Sequence, residues 1–138
     1  MHRARIAAAA ALASLLLAAC ASPLPHGDAV APEQIVLQQI VEQMPRGATQ
    51  EIRVIGALDA PGERQHLHTH RFPVTLIVQQ GVFTLEMEGR APIALRAGQS
   101  FVEPPGVKIT GYNRGDGELR LLMVYVSDVD APFVDRVR

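Results

Sequence analysis

Short apolar stretches alternate with glycine and proline breaks from Thr49 to Asp128. The stretches are TQEIRVIGAL, PVTLIVQQ, VFTLEME, APIALR, QSFVEP, VKITGYN and ELRLLMVYVSD. The breaks between them include Pro61-Gly62, Gly81, Gly98 and Pro104-Pro105-Gly106. Many short runs of branched residues, separated by turn residues at such spacing, are typical of an antiparallel sandwich or barrel. The pattern therefore predicts an all-β fold that is closed or nearly closed.

The alternation inside two of these stretches predicts where their strands lie. In VTLIVQQ both faces are apolar near the centre, which predicts an inner strand. In VFTLEMEG successive side chains point to opposite faces, so the stretch has a core side and a wet side. The predicted core residues are Phe83, Leu85 and Met87, and the predicted wet residues are Thr84, Glu86 and Glu88.

The first residues of the chain have the pattern of an export signal. Arg3 and Arg5 precede the 14 residues Ile6–Ala19, which are apolar except for one serine. This run is too short to span a bilayer, which takes about 20 residues, but suits a signal peptide. Its end, Leu17-Ala18-Ala19-Cys20, resembles the lipobox of bacterial lipoproteins, in which the cysteine carries the lipid. The alternative is a simple secretory signal with a chance cysteine.

These features predict three regions. We expect a signal peptide at 1–19, a lipidated tether at 20–32 and a β-barrel domain at 33–138. The tether is rich in proline, alanine and small polar residues. An exported, membrane-anchored lipoprotein on the periplasmic or cell-surface side is the predicted location. The stretch EQIVLQQIVEQM, at the start of the domain, fits either a helix or a strand.

Charge excludes one class of partner. Cleavage before Cys20 removes two arginines and no acid, which leaves 11 basic and 14 acidic side chains. The resulting net charge of −3, with histidines neutral, argues against nucleic acid as a partner. The remaining partner predictions are a small-molecule ligand, the membrane through the anchor at Cys20, and a second copy of the chain in a homodimer.

Three histidines at alternate positions are the main candidates for chemistry. His66, His68 and His70 would share one face of an extended strand. Their stepwise spacing of about 6 to 7 Å keeps all three from one metal ion unless the chain bulges or kinks. The competing interpretations are a metal site, an organic-ligand pocket in which the histidines form hydrogen bonds, and a solvated rim strand with no ligand role.

Two groups of residues resemble the paired signatures of the cupin superfamily. The first signature has its counterparts at Gly62, His68, His70, Val74 and Gly81. The second has its counterparts at Gly98, Pro104, Gly106, Ile109 and Asn113. The resemblance implies a small cupin β-barrel, also called a double-stranded β-helix or jelly roll, with its site in the barrel mouth. It also favours an opening strand at VLQQIVEQ.

The resemblance further implies a metal site that this chain does not complete. Metal-binding cupins use two histidines and a glutamate from the first signature and a histidine from the second. Here only His68 and His70 are present, because Val74 and Ile109 stand at the other two positions. A catalytic metal usually needs about three protein ligands. His66, Glu103 or Glu86 are the candidate substitutes.

We therefore predict an exported cupin-domain protein that binds a small molecule or partner in its barrel and has a degraded metal site. No cofactor is firmly predicted. The alternative is a metal-dependent enzyme of the oxygenase or isomerase type, with a zinc, iron, manganese or nickel ion at His68, His70 and substitute ligands. The predicted site residues are His68 and His70, with His66 and Glu103 as substitutes, and Cys20 for lipidation.

Overall fold

The structure, a computed structural model, describes residues 32–137. The predicted signal peptide, Cys20 and all but the last residue of the predicted tether lie outside the described residues. Between residues 32 and 137 there is no helix long and apolar enough to span a membrane. The nine strands of this region are β1 Gln50–Asp59, β2 His68–Thr69, β3 Val74–Gln80, β4 Val82–Met87, β5 Ile93–Arg96, β6 Ser100–Glu103, β7 Ile109–Asn113, β8 Leu119–Asp128 and β9 Asp135–Arg136.

The strands form two antiparallel sheets, which confirms the predicted all-β barrel. The order is β1-β8-β3-β6 in the first sheet and β5-β4-β7-β2-β9 in the second. Each of the seven stretches predicted from the apolar runs contains one strand. The inner position predicted for VTLIVQQ is confirmed, because β3 pairs with β6 on one side and β8 on the other.

The core contains inward-facing residues of both sheets. Phe83, Leu85 and Met87 are buried on β4, as the alternation predicts. Thr84 departs from the prediction, since it is only 9% exposed although it lies on the other face. It lies directly opposite Ala94 on β5 and Tyr112 on β7. The side chains of directly opposite residues share a face of the sheet, so both of them flank the Thr84 side chain.

The opening strand expected at VLQQIVEQ is wrong. Residues 32–49 contain no strand. Leu37 and Val41 instead lie beside Val124 of β8 and Thr75 of β3, at a surface pocket on the first sheet. The segment therefore places Leu37 and Val41 against the face of a sheet rather than in a strand ladder, while Ile35, Val36 and Ile40 stay exposed.

The segment that follows β8 is tied to the barrel by three consecutive carbonyl groups. The carbonyl of Ala131 accepts a hydrogen bond from the Arg53 guanidinium, and that of Pro132 accepts one from the Tyr125 hydroxyl. The carbonyl of Phe133 accepts the third, from His70 Nδ1 at 2.6 Å. This row places the Phe133 ring 4.9 Å from the His70 ring, between centroids.

Gly81 and Gly98 have the positive φ angles that their turn positions predict, +83° and +85°. They differ in their surroundings. A Cβ atom on Gly81 would lie 2.8 Å from the carbonyl oxygen of Glu118, whereas one on Gly98 would meet nothing within 4 Å. The turn between β3 and β4 thus requires glycine for two reasons, and the turn before β6 for one.

We predict that Gly81→Ala destabilises the fold more than Gly98→Ala. Both variants force an alanine into the left-handed region, at a cost of about 1 to 2 kcal/mol. Only the first also drives a methyl group against the backbone of Glu118 and Leu119, and the pairing of Leu119 with Asp59 of β1 keeps that backbone from moving away easily. Chemical denaturation of both variants measures the difference. Equal losses of unfolding free energy would contradict this account of the turn.

Candidate functional site

A cavity of about 330 Å³ opens at one end of the barrel. The inward-facing residues Ile55 and Ala57 of β1 form part of its apolar wall, together with Met123, Phe133 and Val134. Its polar wall contains the three histidines and also Asp59, Gln65, Glu103 and Arg136. The size and mixed lining are those of a small-ligand pocket, which is mostly apolar with a few polar groups.

The three histidines all line this cavity, but they are not equivalent. His68 and His70 are buried, with 7% and 2% of their surface exposed, while His66 is exposed. Strand β2 comprises only two residues, and the chain bends directly after it. The Nε2 atoms of His68 and His70 converge to 3.1 Å, because side chains two residues apart on an extended strand point to the same face.

Glu103 is the acid, among the candidate substitutes, that reaches His70. Its Oε2 lies 3.1 Å from His70 Nε2, and its side chain is only 4% exposed. The register explains its position: Glu103 on β6 lies directly opposite Val74 on β3, the position of the expected glutamate. Glu86, the other acid considered, pairs with Arg114 instead.

Backbone carbonyl groups fix the orientation of both imidazoles. His68 Nδ1 lies 2.6 Å from the carbonyl oxygen of His66, and His70 Nδ1 lies 2.6 Å from that of Phe133. A carbonyl oxygen can only accept, so each Nδ1 atom carries the hydrogen. Each neutral ring then directs the lone pair of its Nε2 atom toward the other ring and the cavity.

The separations between these side chains bear on the predicted metal site. Ligands that share one ion at about 2.1 Å lie roughly 3 Å from one another. His70 Nε2 is that close to both of its neighbours, but no hydrogen bond or ion pair joins His68 to Glu103. Within residues 32–137, no group of three or more His, Cys, Asp or Glu side chains is arranged to hold a metal ion. Val74 and Ile109, at the remaining family positions, are fully buried in the hydrophobic core.

Burial alters the titration of two groups in the cavity wall. It holds the pKa of His68 below its ordinary value of 6.5, and His70 adds to this effect, although the bond to His66 and the charge of Glu103 oppose it. Burial also raises the pKa of Asp59, with a hydrogen bond from Gln65 opposing the rise. Asp59 Oδ2 is buried without a hydrogen-bond partner.

Several functional candidates come together only in three dimensions. Asp59 ends β1, and Phe133 and Arg136 come from the last residues described, so no local motif connects them with the histidines. Asn113, the last residue of the second signature, ends β7 and is fully buried. Its amide donates hydrogen bonds to the carbonyls of Asp59 and Gly117, which is a structural role.

Two cationic side chains, Arg71 and Lys108, pair with acids outside the cavity. Arg71 makes two hydrogen bonds to the carboxylate of Asp135, at 2.8 and 3.0 Å. Lys108 pairs with Glu88 at 2.8 Å. Arg71 and Lys108 thus lie in exposed ion pairs, which contribute little to stability.

Comparison with known sequences identifies one family. The family model for the cupin domain matches residues 58–125, which include β1 from Leu58 onward and most of β8. The matched range contains His66, His68, His70 and Glu103. No curated protein sequence matches this chain.

Comparison with solved structures shows the same fold. A protein with a double-stranded β-helix domain from Klebsiella pneumoniae is similar to this chain, with a TM-score of 0.55 at 20% identity. The alignment covers 72% of this chain and 90% of the Klebsiella protein. An RmlC-like cupin family protein from Methanocaldococcus jannaschii has a TM-score of 0.53 at 20% identity, over 66% of this chain and 92% of its own. The predicted double-stranded β-helix is thereby confirmed.

A third similar structure belongs to a larger protein. The DMSP lyase DddQ from Ruegeria pomeroyi has a TM-score of 0.52 at 18% identity, over 59% of this chain. The matched part of this chain spans only 41% of the lyase. At these identities the likeness concerns the fold alone.

The lowered pKa of His68 predicts an acid-sensitive fold. The folded chain favours the neutral imidazole of His68. The contribution of His68 to the unfolding free energy is therefore complete above the ordinary histidine pKa of 6.5. It is lost as the pH falls below that value, because the unfolded chain takes up the proton first. We predict that His68→Gln loses less unfolding free energy than the wild type between about pH 7 and pH 5. Denaturation at both pH values measures this loss.

His66→Gln is the matched control, because His66 lies two residues before His68 and is exposed. We expect it to keep the wild-type dependence on pH. A flatter dependence in His66→Gln than in His68→Gln would contradict the assignment.

Proposed function

Since the chain belongs to the cupin superfamily, we propose that its domain is a binding module that takes a small organic molecule into the cavity beside His70. The observation that carries the proposal is the division of the cavity wall. Ile55, Met123 and Phe133 offer an apolar surface, while His68, His70 and Glu103 converge opposite. Such a wall buries the carbon skeleton of a ligand and orients its polar end.

Binding accounts for the site better than metal-dependent turnover does. A catalytic metal needs about three ligands around one point. His68 and Glu103 each contact His70 but not each other. The fixed imidazoles and the buried acid are instead suited to recognising a ligand through hydrogen bonds, because their positions are set before the ligand arrives.

The location is part of the same proposal and rests on sequence. The Arg3 and Arg5 start, the apolar run that follows and Leu17-Ala18-Ala19-Cys20 support an exported domain tethered to a membrane by lipid. A tether of this kind would keep the cavity in an extracytoplasmic compartment. The ligand would then be a molecule that the cell meets outside its cytoplasm.

We predict that Ala57→Leu abolishes ligand binding in the cavity. Ala57 lies in the apolar wall, so the larger side chain occupies the space of the ligand. Small fragments titrated into the isotopically labelled full chain should shift the resonances of cavity residues in the wild type and not in this variant. Nuclear magnetic resonance spectra measure both.

Ala94→Leu is the matched control, since Ala94 is exposed on β5, away from the cavity. It should bind fragments like the wild type. Loss of binding in both variants, or no fragment binding to the wild type, would contradict the proposed function. Binding that occurs only after zinc, iron, manganese or nickel is added would replace it with the metal-dependent alternative.

We predict that Cys20→Ser abolishes lipid labelling. Cys20 is the only cysteine in the sequence, so no other thiol can form the thioether. Metabolic labelling with a clickable fatty acid, followed by membrane fractionation, measures the effect, and Ser22→Ala controls for changes near the cleavage point. Equal labelling of the wild type and Cys20→Ser would contradict lipid attachment at Cys20.

A further inference from the structure

The outer face of the first sheet is apolar. On β8 the residues that alternate with its core side chains face outward, and three of them in succession are aliphatic: Leu122, Val124 and Val126. Strand β1 continues this surface, because its alternate residues lie directly opposite the outward-facing residues of β8. The outward residues of β1 carry no charge, and they are Gln50, Ile52, Val54, Gly56 and Leu58.

The second sheet has a different outer face. An antiparallel sheet with one face in water normally carries polar side chains on that face. The outward positions of β4 and β7 follow this rule, since they are Thr84, Glu86, Thr110 and Tyr112. The aliphatic outer surface of the first sheet therefore calls for an explanation of its own.

The chain covers one part of this surface itself. Leu37 and Val41, in the segment 34–49 before β1, lie beside Val124 of β8. Two groups of aliphatic side chains stay open, and each of their members exposes more than half of its surface. The β1 patch consists of Ile52, Val54 and Leu58. The segment patch consists of Ile35, Val36 and Ile40.

Together the two patches approach the size of one side of a protein interface. Side chains of this kind, when more than half exposed, present roughly 100 Å² of apolar area each. The six residues of the two patches thus present roughly 600 Å², against the roughly 800 Å² that each partner buries in a stable interface. The polar rim of an interface supplies the remainder.

We infer that two copies of the chain pack through the outer faces of their first sheets, with the segment patch of each copy on the β1 patch of the other. A twofold axis repeats each contact, so both patches of both copies are buried and the assembly closes at two. The inference goes beyond the proposed function. It concerns the outer side of β1, whereas the inner side of that strand lines the cavity with Ile55 and Ala57.

The charges around this face favour a second copy over a lipid surface. Segments that lie on a membrane carry an excess of lysine and arginine beside their apolar face. Here both signs are balanced: the segment 34–49 has Glu42 and Arg46, and the two ends of the outward row on β8 are Arg120 and Asp128, all four exposed. Arg120 also pairs with Glu118 at 2.7 Å. At an interface between two proteins such groups remain in water at the rim.

Photo-crosslinking in intact cells that export the full chain tests this interface. A benzophenone amino acid replaces either Val54 of the β1 patch or Ile40 of the segment patch. We expect a covalent dimer from both positions, and mass spectrometry should find the Val54 product attached to residues 34–44 of a second copy. Ala94 is the matched control, because it is exposed on the outer face of the second sheet, opposite Thr84. A crosslinker there should give no dimer.

A charge in the β1 patch then tests the contact. With the crosslinker at Ile40, Val54→Lys should lower the yield of dimer by at least about tenfold, because an ammonium group buried against aliphatic side chains has no partner. Val54 is mostly exposed in one chain, so a single copy accommodates the lysine. Ala94→Lys is the matched control and should keep the wild-type yield. Thermal denaturation of both variants measures whether they fold alike, and the crosslinks from Val54 and Ile40 need no such variant.

Each contrary result overturns the inference. No dimer from either Val54 or Ile40 would leave the face without a second copy. Lipid adducts at these positions would assign the patches to the membrane, and adducts with a different protein would assign them to that partner. A Val54 product that maps outside residues 34–44 would refute the reciprocal arrangement. Equal yields from Val54→Lys and Ala94→Lys would show that the β1 patch lies outside the interface.

Discussion

The hydrogen bond from His70 Nδ1 to the carbonyl of Phe133 is the contact on which the cavity depends. At 2.6 Å it holds the segment after β8 against the barrel end, and it also decides which nitrogen of His70 carries the hydrogen. The first effect supplies Phe133 and Val134 to the cavity wall. The second leaves Nε2 of His70 for Glu103 and His68. One bond thus couples the shape of the cavity to its chemistry.

Hydrogen bonds to the two preceding carbonyl groups hold the Phe133 carbonyl in place for that bond. Those of Ala131 and Pro132 accept hydrogen bonds from Arg53 of β1 and Tyr125 of β8, so three consecutive peptide groups are fixed to the barrel. The Arg53 guanidinium also lies over the Tyr125 ring, 5.2 Å from its centroid. Each such bond is worth only about 1 kcal/mol. Together with the packing of Phe133 against the core they order this segment and position it before any ligand binds.

Sequence predicted the elements of the fold better than it predicted the site. Glycine and proline breaks delimit seven of the strands, and the alternation on β4 identifies Phe83 as a core residue, because both signals are local. The expected strand at VLQQIVEQ failed because its apolar residues suit the face of a sheet as well as a strand ladder. Asp59 and Phe133 carry no local signal, since strand pairing and the C-terminal segment bring them to His70. The contact of Glu103 with His70, considered from sequence only as one alternative, follows from the β3–β6 register.

That register also explains how the cavity keeps an acid beside His70. Directly opposite residues of an antiparallel pair share a face of the sheet, so a carboxylate at Glu103 lies at the level of Val74 but one strand away. The displacement lets Glu103 contact His70 and not His68. Ile109 lies opposite His68 in the second sheet and is fully buried, so an apolar side chain neighbours His68 at this level. Val74 and Ile109 thus belong to the hydrophobic core, and His68, His70 and Glu103 are the polar groups that remain beside them at the cavity wall.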